Sequence, residues 1–102
     1  MMDTDTRYKA KDGFVAREIA GEMLLIPIGT RTQEFNGIVR LNETGVVLWK
    51  SISEPRLMED LVTVIADNFE CSTLDIEDDV ESFIKTGVHN GLIEELKGEK
   101  IS

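Results

Sequence analysis

Apolar positions along the chain follow two regimes. Up to Leu41 they come in short runs separated by Gly, Pro and polar residues. Beyond Asn42 they recur every three or four residues. The first pattern predicts strands and the second helices. Phe14 to Ala20 reads as a strand. Gly21-Glu22 then offers a two-residue turn, with Gly at the first central position as a type II′ hairpin asks. Met23 to Ile28 is a continuous apolar run of strand length, and Pro27 sits at its end, where a missing N–H is tolerated. Gly29 to Asn36 is a polar loop. Gly37 to Leu41 is a further short strand. Strands joined by such short loops predict an antiparallel meander.

Helices follow without a linker. Asn42 is a good N-cap, since its side-chain oxygen accepts a free N–H of the first turn. Gly45, Leu48, Trp49 and Ile52 share one face of a helix over 43–52. Val46 and Val47 make that helix apolar nearly all round, so it should be buried. Trp49 reads as a core anchor. Ser53-Glu54-Pro55 breaks the chain. Met58, Leu61, Val62, Ile65, Ala66 and Phe69 mark a second helix over 57–70. Ser72 caps a third, over 73–89, with Asp75 placed as in a weak capping box and an inner face of Ile76, Val80, Phe83, Ile84 and Gly87. Asn90-Gly91 ends it with residues that tolerate left-handed backbone, and Leu92-Ile93 packs afterwards. The expected fold is α+β, a three-stranded antiparallel meander followed by a three-helix bundle. Residues 13–96 form the domain, 1–12 a flexible N-terminal arm, and 97–102 a polar tail.

Composition narrows the class. A chain of 102 residues is one domain by length. Its 41% apolar content suits a globular core, and no apolar run approaches the roughly 18 residues of a membrane span. Met1 to Tyr8 is polar, unlike a secretory signal. Cys71 is the single cysteine, so no internal disulfide forms. The expected location is cytoplasmic. The net charge of −9 weighs against nucleic acid, because DNA binders neutralise phosphates with Lys and Arg. The acids gather late in the chain, including Glu59, Asp60, Asp67, Glu70, Asp75, Glu77, Asp78, Asp79 and Glu81. They form a solvated helical face or a surface tuned for a basic partner segment.

Little catalytic chemistry is legible. Zinc sites need about four ligands, and Cys71 with His89 falls short. Cys71 has no base near it in sequence. Asp78 and Asp79 are adjacent on a helix, so their side chains diverge. The glycines do not follow a nucleotide-loop spacing. No catalytic residue, metal or cofactor is expected.

"FNGIVRLNETGVVLWKSI", the Met58–Phe69 helix and "EDDVESFIKTGVHNGLI" together resemble the PqqD family, small proteins of pyrroloquinoline quinone (PQQ) biosynthesis. The residues that carry the resemblance are Leu41-Asn42 before the first helix, the Trp49 anchor, and Gly91-Leu92-Ile93 after the last. It covers roughly Val15 to Ile93. "LNETG" looks like the broad PqqD-like set rather than the quinone-pathway members. The resemblance implies a winged-helix-like, non-catalytic domain that recognises a peptide. The implied partner is the leader of a ribosomally made precursor, which adds as a strand to the third strand and lies beside the third helix. The leader's core is then presented to a modifying enzyme, often of the radical SAM type. Ile38, Val39, Arg40 and Leu41 would be the open edge. Helical geometry offers one flank of the third helix as the other wall: Glu77, Glu81, Ile84, Lys85 and Val88. Ile84 and Val88 are equally readable as core. The same strand edge also permits a homodimer, so the expected state is monomer or edge-paired dimer. Two other readings are a winged-helix DNA-binding regulator and a plain dimerisation or scaffold module.

Overall fold

The computed structural model describes residues 6–34 and 37–97. In chain order the elements are β1 (Arg7–Ala10), β2 (Phe14–Ile19), β3 (Glu22–Pro27), α1 (Arg31–Glu34), β4 (Val39–Leu41), α2 (Glu43–Ser51), β5 (Arg56–Leu57), α3 (Met58–Phe69), α4 (Thr73–His89) and β6 (Ile93–Leu96). The fold is α+β. The expected meander is present as an antiparallel sheet of order β2-β3-β4, and the expected helices follow as α2, α3 and α4.

The β2–β3 hairpin differs from expectation at its turn. Ile19 pairs with Glu22, so the loop is Ala20-Gly21 rather than Gly21-Glu22. Both residues have positive φ, 54° and 81°, which is the type I′ pattern and not type II′. Ala20 carries the cost of left-handed backbone for a residue with a Cβ, about 1–2 kcal/mol. Pro27 ends β3 beyond the stretch that pairs with β4, so its missing N–H interrupts no ladder there. The loop after β3 contains the single turn α1, which sequence periodicity is too short to reveal. Phe35 and Asn36, the end of the expected polar loop, lie outside the described residues.

A second antiparallel sheet, of order β5-β1-β6, was not expected. Residues 7–10, read from sequence as part of the loose arm, form its central strand. β1 pairs Arg7 with both Leu57 and Leu96, and Ala10 with Ile93. Two further bonds fasten the segment, Ala10 N–H to Ile52 O at 2.8 Å and Lys11 N–H to Leu92 O at 3.0 Å. Residues 1–5 and 98–102 lie outside the described residues. The succession α2, β5, α3, α4, β6, with β1 completing the sheet, is compatible with a winged-helix-like arrangement.

Helix ends follow the capping logic of the sequence. Asn42 Oδ1 accepts from Gly45 N–H at 2.8 Å, and Ser72 Oγ accepts from Leu74 N–H at 3.1 Å. Asn90 and Gly91 close α4. Leu92 N–H reaches Gly87 O at 2.8 Å and Gly91 N–H reaches Val88 O at 3.2 Å, with Gly91 at φ 84°. That is a Schellman ending, and it turns the chain back toward β1 as β6.

The core joins all parts. Leu25 and Leu41 come from the meander, Leu48, Trp49 and Ile52 from α2 and its cap, Leu61, Val62 and Ile65 from α3, Val80 and Ile84 from α4, and Leu92 and Ile93 from the return strand. Each fully buried aliphatic side chain stabilises by about 1.5–3 kcal/mol relative to exposure. Trp49 anchors as expected: it is buried, and its ring meets Phe14 edge to face at 6.3 Å between centroids. Phe69 departs from its expected inward place. It sits at the last turn of α3 and is 39% exposed.

Candidate functional site: the groove between β4 and α4

Among the described residues, β4 is paired on one side only. Its register against β3 is Met23 with Leu41, Leu24 with Arg40 and Leu25 with Val39. Which backbone groups remain open follows from the hairpin. Ile19 and Glu22 flank a two-residue loop, so they form a hydrogen-bonded pair, and bonded and non-bonded pairs alternate along an antiparallel ladder. Glu22 and Leu24 therefore bond toward β2, while Met23 and Leu25 bond toward β4. Leu41 and Val39 are thus committed to β3. Arg40, between them, turns its N–H and C=O to the open side.

Side chains alternate in the same strand. Val39 and Leu41 point inward, and Arg40 points to solvent. Arg40 Nε pairs with Glu22 Oε1 at 3.1 Å, with side chains 73% and 51% exposed. Such a pair is worth about 0–1 kcal/mol.

Across the open edge stands α4. Between them lies a pocket of about 260 Å³. Leu25, Val39, Leu41, Trp49, Leu92 and Ile93 form its apolar base. α4 contributes Phe83 and Gly87 to the base and Ser82 and Thr86 to the rim, which its C-cap Asn90 completes. Its volume is below the roughly 300–1,000 Å³ of small-molecule sites. It suits one or two inserted side chains. The rim hydroxyls and amide donate and accept hydrogen bonds without titrating.

The expected walls meet, but on a different flank of α4. Val39, Arg40 and Leu41 line the pocket. Ile38 precedes β4 and is 59% exposed beside it. Of the α4 residues read as the wall, Ile84 is fully buried in the core. Val88 packs partly against that core, and Lys85 is exposed on the outer side. Glu77 and Glu81 line a separate depression toward α3 and β1. The wall facing β4 is instead the flank of Ser82, Thr86 and Asn90, which continues through the exposed Asp79 one turn before Phe83. Periodicity locates the inner face of a helix but not which neighbour lies left or right of it. The mixture of Phe83 with small polar residues at i+3 and i+7 is the sequence signal that marks this flank.

Cys71 and His89 bracket α4, whose 17 residues separate them by roughly 25 Å at 1.5 Å per residue. Among the described residues no group of His, Cys, Asp and Glu is placed to hold a metal ion.

The model of the family described as Coenzyme PQQ synthesis protein D (PqqD) matches residues 15–93. This chain belongs to the PqqD family. The match runs from β2 to the start of β6, so it includes both walls of the groove and the whole core between them. PqqD proteins are non-catalytic accessory proteins. No curated protein and no solved structure gives a significant match to the chain. No helix among the described residues is long and apolar enough to cross a membrane.

Proposed function

We propose that this protein is a non-catalytic peptide carrier in the synthesis of PQQ or of another peptide-derived product. It takes the leader of a ribosomally made precursor as an added strand on β4 and presents the peptide to a modifying enzyme of the radical SAM type. The observation that carries the reading is the unpaired edge of β4, with Arg40 turned outward, facing α4 across an apolar pocket. Strand addition takes affinity from main-chain hydrogen bonds and specificity from side-chain pockets. One alternate side chain of the leader would enter the pocket over Val39 and Phe83. Its neighbours would meet Arg40 and the rim of Ser82, Thr86 and Asn90. A three-residue strand gives a small interface, below the roughly 1,200 Å² of stable complexes, so the affinity is on the order of micromolar.

The test is an NMR titration with the leader of a short precursor peptide, chosen where one is encoded beside this chain's gene. Expected are shifts at Ile38 to Leu41 and at Ser82, Thr86 and Asn90. Shifts confined to β2, or to Glu77 and Glu81 with Arg40 silent, would reject the groove.

A further inference from the structure

The molecule has a second groove, on the far flank of α4. Glu77 and Thr86 are two and a half turns apart at roughly 3.6 residues per turn, so the flank with Glu77 and Glu81 faces away from β4. There α4, α3, β5 and β1 enclose a depression of about 420 Å³, larger than the one under β4. Tyr8, Leu57, Met58 and Val62 give it an apolar floor, and Thr6, 5% exposed, lies along it. Thr63, Glu59, Glu77 and Glu81 line its rim, and among the described residues no cationic side chain lines it. None of these carboxylates forms an ion pair among the described residues. Leu74, one turn before Glu77 on α4, is 81% exposed, the most exposed large apolar side chain among the described residues.

We propose that this groove docks a basic amphipathic segment of a protein partner. Apolar side chains of the segment would rest on Tyr8, Met58 and Val62, and its Lys or Arg residues would meet Glu59, Glu77 and Glu81. The charge of the site selects the partner: an acidic or neutral segment would leave three carboxylates on the rim without compensation. Combined with leader capture at β4, on which this step alone rests, the partner is the modifying enzyme. Leader and enzyme then occupy opposite flanks of one helix and are held together without competing.

The probe is a synthetic amphipathic helix of Leu and Lys, with a Leu and Glu counterpart as control, each titrated into isotopically labelled full-length protein. Expected are saturable shifts at Tyr8, Val62, Thr63 and Glu81, with Val39 and Thr86 unmoved. The combined Glu59→Gln, Glu77→Gln and Glu81→Gln variant should bind on the order of tenfold more weakly. Thr63→Arg, an exposed change that sets a cation in the groove, should weaken it further while leaving the fold intact. Added salt should lower affinity as the charges are screened over about 10 Å at 0.1 M. Equal shifts across Asp75, Asp78 and Asp79, equal binding of the Gln variant or of the Glu control, or no binding would each overturn the proposal. The β4 groove is read separately in the same spectra, so failure here leaves leader capture standing, and failure of leader binding leaves this groove's result interpretable.

Discussion

At the scale of single residues, the direction of one peptide unit separates binding from folding. Arg40 is the residue of β4 whose N–H faces the open edge, whereas the N–H of Val39 belongs to the ladder with β3. Proline removes a backbone donor at either position. Arg40→Pro should therefore weaken leader binding by about 3–10-fold, one main-chain hydrogen bond of roughly 0.5–1.5 kcal/mol, with a small change in stability. Val39→Pro should instead lower stability by on the order of 1–3 kcal/mol through the lost ladder bond. Calorimetric binding and urea melts on both variants check this. An Arg40→Pro protein that melts early but binds normally would mean that the two peptide units have been assigned the wrong way round. From sequence, both positions were legible as edge residues. Which one faces out was not, because that depends on the hairpin loop being Ala20-Gly21, one residue earlier than the glycine suggested.

At the scale of elements, the joint of α4 with β6 fixes the back of the groove. A Cβ on Gly87 would run into Ile93 Cδ1 and lie 2.8 Å from Ile93 Cγ1, both too close. Gly87→Ala should thus cost about 1–3 kcal/mol by overpacking, and it should disturb the pocket base that Gly87 helps to form. Ile93→Val removes the nearest atom, so the double variant should recover part of the loss in a double-mutant cycle. Strictly additive effects in urea melts would deny the contact. The helices themselves were legible because their burial repeats locally: Leu61, Val62 and Ile65, or Val80 and Ile84, announce a face within one or two turns. β1 and β6 were not. Arg7–Ala10 is polar and alternating, and its pairing partner Ile93–Leu96 lies at the other end of the chain. Their strand character comes from the pairing rather than from local preference, as is common for strands. Which flank of α4 faces β4 was illegible for the same reason, since only the packing of α4 between β4 and α3 decides which side meets which neighbour.

At the scale of the whole molecule, charge and edge geometry decide what the protein avoids. The chain carries a net −9, and α4 exposes Asp75, Asp78 and Asp79. In a winged-helix regulator that helix would approach phosphates. A duplex should therefore give no mobility shift at physiological salt, and a shift that fades steeply with added salt would mark real phosphate contacts and favour the regulator. The same reasoning addresses self-association. The β4 edge is open, and open edges invite pairing with a second copy. A two-fold axis through the middle of β4 would set Arg40 opposite Arg40, and like charges directly opposed destabilise a strand pair. Two acidic α4 helices would also approach each other. Wild-type protein should then sediment as a monomer at micromolar concentration. Arg40→Thr removes the repulsion and adds a strand-favouring side chain, so it should increase dimer measurably, and leader peptide should reverse that gain by occupying the edge. A wild-type dimer that leader peptide does not dissociate would place the dimer contact away from β4.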